Sequence, residues 1–195
     1  MRNKKLIGTG VALITPFKED YSIDYGSLDN LISKLITNGI DYFVVMGTTS
    51  EVATLSEEEQ KNLLQHIISK VNNRVPIVLG LGTNDTARLL KKLDTIDFSG
   101  IEAILSVTPY YNKPSQEGLF SHYDKLASKS PVDIILYNVP SRTSVNLDYQ
   151  TIVALANKHT NIIGVKEASG DISQCMSIIL NCPKDFMLIS GDDKM

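Results

Sequence analysis

Seven short apolar runs, separated by amphipathic segments, limit what this chain can fold into more than any other feature. The runs are 11–15, 42–46, 76–81, 103–107, 132–137, 162–166 and 186–190. Most are rich in Val and Ile and lack alternating polarity. Strands of an antiparallel sheet with one wet face alternate; strands covered on both faces do not. The pattern therefore predicts buried parallel strands joined by helical crossovers.

The intervening segments carry readable helix starts. Ser56 with Glu59 is a capping box ahead of LLQHIISKV. Asn84 or Asp85 can cap ARLLKKLDTI, Ser115 can cap EGLFSHYDKLASK, and Asp148 and Asp171 open the next two helices. Gly39 reads as a helix stop. With no linker, low-complexity stretch or shift in composition, residues 1–195 read as a single domain.

Seven strands and six helices fit an α/β fold of the (β/α)8 TIM-barrel type, here incomplete. A complete barrel takes about 250 residues; strand eight and the C-terminal helices are expected to be absent from this chain. A doubly wound open sheet is the rival, but its GxGxxG fingerprint is missing, since Gly80 and Gly82 supply only GxG. Polar and aromatic clusters follow the second, fourth, fifth and sixth runs. A barrel gathers those strand ends on one rim, whereas an open sheet focuses them only at a switch point.

Composition narrows the function classes. The chain is 43% hydrophobic with a net charge of −3 and no basic patch, which argues against nucleic acid as a partner. No apolar stretch approaches the ~20 residues of a membrane span. The opening MRNKKLIGTGVALITPF is broken by Gly8, Gly10 and Pro16, and reads as a first strand rather than a secretion signal. Cys175 and Cys182 lie two helical turns apart, about 10 Å, too far for a disulfide; a reducing, cytoplasmic setting is expected. His66, His122 and His159 fall in helical patterns without metal-ligand spacing and read as solvated. No metal and no separate cofactor are expected.

Lys166 closes the sixth apolar run, in IIGVKEASGD. Burial there would disfavour the ammonium form and leave a nucleophilic amine, as Schiff-base chemistry needs. A lysine snorkelling at a strand end is the plainer alternative. Tyr137 closes the neighbouring run and could shuttle protons to a carbinolamine, or simply pack. Thr48 and Thr49, after Gly47, can hold a small carboxylate, and Arg142 after the turn Asn138-Val139-Pro140-Ser141 can clamp a second one.

Taken together, GTGVALITPF, GTTSE, TPYYNKPSQEGL, LYNVPSRT, IIGVKEASGD and LISGDD resemble the dihydrodipicolinate synthase and N-acetylneuraminate lyase family of class I pyruvate aldolases, across essentially the whole chain. The resemblance implies a carbon–oxygen lyase that condenses pyruvate with aspartate semialdehyde on the diaminopimelate route to lysine. It gives Lys166 the Schiff base, and Thr48, Tyr137 and Tyr111 a proton relay. Tyr111 would be lent across a tight dimer of a homotetramer. Thr49 would hold the pyruvate carboxylate and Arg142 that of the semialdehyde. Sialic acid lyases lack an arginine at the position of Arg142, which favours the synthase over the lyase alternative. A truncated, inactive relative is the reading from outside the enzyme class.

The resemblance also matches Asn84 and Tyr110 to a lysine feedback cleft. Arg88 replaces an acidic residue there, and Glu57 and Gln60 stand where histidines often occur. Ser50 replaces a usual glycine and Val52 a frequent serine; a positive φ at that glycine would strain Ser50. The stretch from Ile163 to Gly164 is expected to be plain strand.

Overall fold

The computed structural model of the protein describes residues 3–191; Asp192 and Asp193 of the LISGDD motif lie outside the described residues. These residues form two compact units, one of Asn3–Gly80 with Ser99–Glu102, the other of Leu81–Phe98 with 103–191.

In the first unit, β1 (Gly10–Ala12), β2 (Tyr42–Val45) and β3 (Ile77–Gly80) run parallel, with β2 paired to both others. Helices α1 (Tyr25–Thr37) and α2 (Glu57–Val71) connect them. All four residues of β2 are buried, as a strand covered on both faces requires. Asp24 caps α1 and Gly39 follows it at φ 82°. The α2 capping box forms as read from sequence: the Ser56 hydroxyl accepts from the Glu59 amide, and the Glu59 carboxylate accepts from the Ser56 amide. Ser56→Ala should lower stability by about 1 kcal/mol, measured as a shift in the urea midpoint.

The second unit holds β4 (Ala103–Val107), β5 (Asp133–Asn138), β6 (Ile162–Glu167) and β7 (Met187–Ser190), parallel and paired in that order. Its helices are α3 (Thr86–Leu93), α4 (Gln116–Lys129), α5 (Pro140–Thr143), α6 (Tyr149–Lys158) and α7 (Ile172–Asn181). Asp85 rather than Asn84 caps α3, and Ser115 and Asp171 cap α4 and α7. Asp148 precedes α6 without a side-chain cap bond; its carboxylate accepts from Asn146 instead.

Two local expectations are corrected here. The segment expected as a turn before Arg142 is one helical turn, α5, because Pro140 sits at its first position with φ already set for a helix. The stretch expected as plain strand carries a register shift: Ile134 pairs with Ile162, but Ile135 pairs with Gly164, so Ile163 is an extra residue. Gly164 fits there because a Cβ would lie 2.7 Å from the Met187 carbonyl oxygen. Beyond the bulge, Tyr137 pairs with Lys166 and Asn138 with Glu167.

His122 also departs from its expected solvated state, at 3% exposure. It lies on α4 among Leu119, Tyr123 and Leu126, all buried, so the helix turns it into the apolar stripe. His66 and His159 keep to the surface side, on Asp29 and Asp124.

Candidate active site

Chemistry concentrates where β5 and β6 end. Lys166 is half-buried, and its Nζ stands 4.8 Å from the centre of the Tyr137 ring. In-register pairing of these residues sets that distance, since paired positions on adjacent strands point the same way. Burial pushes the Tyr137 phenol above its ordinary value, partly offset by the Arg142 guanidinium. At neutral pH the phenol therefore carries its proton and can donate it. Arg142 sits exposed on the last turn of α5.

Sequence reading missed Gly191 as part of this site. A Cβ there would lie 2.8 Å from Lys166 Cε and 3.0 Å from Lys166 Cγ, so the lysine stem runs directly over the glycine backbone. The Gly191 amide donates to the Glu167 carbonyl. Only a residue without a side chain leaves the stem in that place.

Tyr111 is 84% exposed and adopts φ 74°, while the Asn112 amide donates to the Tyr110 carbonyl. A three-residue turn with a bulky residue at positive φ is rare and strained. Tyr110 is 39% exposed, and Asn84 and Arg88 are exposed near the start of α3.

In the other unit, Thr48 and Thr49 are exposed on a 3-10 turn, Thr48–Ser50, that directly follows β2 and Gly47. Gly80 supports this turn: a Cβ on it would meet the Met46 carbonyl oxygen at 2.6 Å and the Gly47 Cα at 2.8 Å. The strain expected at Ser50 falls elsewhere, on Met46 and Glu51, both at φ 56°. Ser50 itself is buried, its hydroxyl donating to the Gly47 carbonyl while its own carbonyl accepts from Thr15. Gln60 is occupied by the Val52 and Leu55 carbonyls.

A groove of about 540 Å³ lies between α1 and α2, lined by Asp29, Ser33, His66, Lys70 and Arg74 among others. Its charges are already paired, His66 and Lys70 with Asp29, and Arg74 caps the end of α2 through the Lys70 and Val71 carbonyls. Among the described residues, no group of three His, Cys, Asp or Glu side chains could hold a metal, and no helix is long and apolar enough to cross a membrane.

The scaffold is one of the parallel β/α class, with an amine and a phenol paired at adjacent strand ends. Comparison with known proteins makes this specific. The sequence profile of the Dihydrodipicolinate synthetase family matches residues 5–195, and the chain belongs to that family. It is 53% identical over 193 residues to the 4-hydroxy-tetrahydrodipicolinate synthase of Parabacteroides distasonis, covering 99% of this chain and 65% of that protein. The synthase of Cytophaga hutchinsonii is 52% identical over 95% of this chain and 62% of its own length. The crystal structure of the chloride-inhibited dihydrodipicolinate synthase from Acinetobacter baumannii, complexed with pyruvate, superposes with a TM-score of 0.91 at 41% identity, over 96% of this chain and 64% of that one. The fold class is thus the (β/α)8 barrel, with seven of its strands among the described residues. The chain spans about 65% of the length of the curated relatives it matches.

Proposed function

We propose that the protein acts as a 4-hydroxy-tetrahydrodipicolinate synthase, condensing pyruvate with aspartate semialdehyde through a Schiff base on Lys166. The observation that carries this reading is the Lys166–Tyr137 pair, 4.8 Å from amine to ring centre, in a member of this family. The neutral Lys166 amine adds to the pyruvate C2 carbonyl, and its proton passes to the oxygen. The carbinolamine hydroxyl then takes up a proton and leaves as water, as the nitrogen lone pair closes the iminium. Tyr137, protonated and adjacent, is suited to supply that proton. The Tyr137 phenolate left by that step takes a methyl proton to give the neutral enamine, whose carbon bonds to the semialdehyde carbonyl carbon as the aldehyde oxygen takes up a proton and the iminium re-forms.

Thr48 and Thr49, whose hydroxyls bond to none of the described residues, offer them for a relay and for the pyruvate carboxylate. Arg142 offers the semialdehyde carboxylate a guanidinium. The exposed, strained Tyr111 suits a residue that completes the relay of a neighbouring subunit in a homo-oligomer. The lysine itself activates the substrate, so the reading calls for no separate cofactor.

Borohydride reduction in the presence of pyruvate should give one adduct by intact mass, located on Lys166 by peptide mapping. A protein left unmodified under those conditions would refute the reading. Arg142→Ala should cut kcat/KM for aspartate semialdehyde by about 10- to 100-fold, or ~1.4–2.7 kcal/mol, while leaving adduct formation near wild type. Unchanged use of the semialdehyde would point to an aldehyde substrate without a carboxylate, as in the lyase branch.

A further inference from the structure

Glu167 is 0% exposed, yet among the described residues no Lys, Arg or His forms an ion pair with it. Its carboxylate is held by neutral donors alone. Asn138 Nδ2 donates to both oxygens at 3.0 and 3.1 Å, the Ser169 backbone amide to Oε1 at 2.9 Å, and Gln174 Nε2 to Oε2 at 2.9 Å. Every contact is a donor, which suits an ionised carboxylate and offers a carboxyl proton no acceptor. The donors are themselves fixed: Asn138 Oδ1 accepts from the Leu147 amide, and Gln174 Oε1 accepts from Asn146 Nδ2.

A buried charge with no counter-ion among the described residues is costly, and this one sits one residue from the proposed nucleophile. Residues 166 and 167 point to opposite faces of β6, Lys166 beside Tyr137 and Glu167 towards α7. We propose that Glu167 is a positioning residue that serves as a fixed counter-charge behind Lys166, favouring the cationic iminium over the neutral carbinolamine. The proposal rests on the Schiff-base reading above.

The conversion changes charge in one place. Neutral amine, ketone and one proton become a cationic iminium and water, so a nearby anion favours the product side. Two unit charges ~10 Å apart at an effective dielectric of ~20 interact enough to matter by roughly tenfold. Other charged or titratable groups face the network. Asp148 is linked through Asn146, Asp171 caps α7, and Cys175 lies on that helix. Arg142 stands near Tyr137 on the Lys166 side. The Cys175 thiol is raised by burial first and then by Glu167 and Asp171.

The test is pyruvate affinity for adduct formation as a function of pH, read by borohydride trapping in the protein as expressed from its gene. Protonated lysine and iminium carry the same charge, so at low pH an anion favours both equally and its effect cancels. At high pH the free amine is neutral, and the effect appears in full. Glu167→Gln should therefore weaken adduct formation about tenfold on the alkaline side, leave it unchanged on the acid side, and move the break in the profile down by about one pH unit. Glu167→Asp, which keeps the charge but strains the hydrogen bonds, should retain the wild-type profile. Should Glu167→Gln fail to fold, Glu167→Met removes the charge and leaves the Asn138 and Gln174 side-chain amides their bonds to Asn146 and the Leu147 carbonyl, and should show the same downward movement. Weakening by the same factor at every pH, or an unmoved break in a folded charge-altered variant, overturns the proposal. Absence of any adduct in the wild type would instead strike the Schiff-base reading.

Discussion

Lys166→Ala is expected to abolish the pyruvate adduct and lower turnover at least a thousandfold, or by ~4 kcal/mol of barrier. The substitution removes the only group in the proposed mechanism that bonds to substrate; the neighbouring hydroxyls cannot form an iminium. Stability should change little, because Lys166 is only half-buried and its stem lies over Gly191 rather than in the apolar core. Intact mass after borohydride treatment and a thermal melt separate the two effects. A folded variant that still traps pyruvate undiminished would place the nucleophile elsewhere.

Acid should weaken the fold through His122. Burial lowers its pKa from 6.5 to about 4. Its Nδ1 bonds with the Thr86 hydroxyl at 2.8 Å, while Nε2 is buried without a partner among the described residues. Protonation would put a second N–H into a place with no acceptor. The unfolded chain binds this proton near pH 6.5 and the folded chain only near pH 4, so stability rises with pH across that window. Above it the contribution is complete; as pH falls through it, up to about 3 kcal/mol is lost. Urea midpoints at several pH values should show a steeper acid loss in the wild type than in His122→Phe, which keeps a ring against Tyr123 and cannot titrate. Parallel pH dependence in the two proteins would remove His122 from the account.

Much of this was legible in the sequence because burial on both strand faces writes itself as unbroken apolar runs. β4 was bounded to the residue, and the other strands to within a few positions at their ends. Lys166 and Tyr137 stood out as polar interruptions at the ends of such runs. His122 was legible too, since it shares the spacing of Leu119, Tyr123 and Leu126; its polar character outweighed its position when it was read as solvated. Glu167 follows the same logic: in a strand covered on both faces, the residue after an inward lysine must bury its own side chain. The support of Glu167 could not be read, because Asn138, Ser169 and Gln174 converge only through strand pairing and a helix cap. The contact of Gly191 with the Lys166 stem, and the displacement of strain from Ser50 to Met46 and Glu51, depend on backbone geometry that residue types leave open.

The extra residue at Ile163 acts as a phase changer. Side chains on a strand alternate with a period of two, so one unpaired residue reverses the parity of everything after it. Counted from the Ile134–Ile162 pair without the bulge, the amine would fall opposite Asn138, on the side where Gln174 and Asn146 gather. Val165 would fall opposite Tyr137, and the carboxylate would turn onto the face that now carries the amine. Which of two adjacent residues faces the phenol and which stays behind the sheet is therefore settled upstream of both, at Ile163.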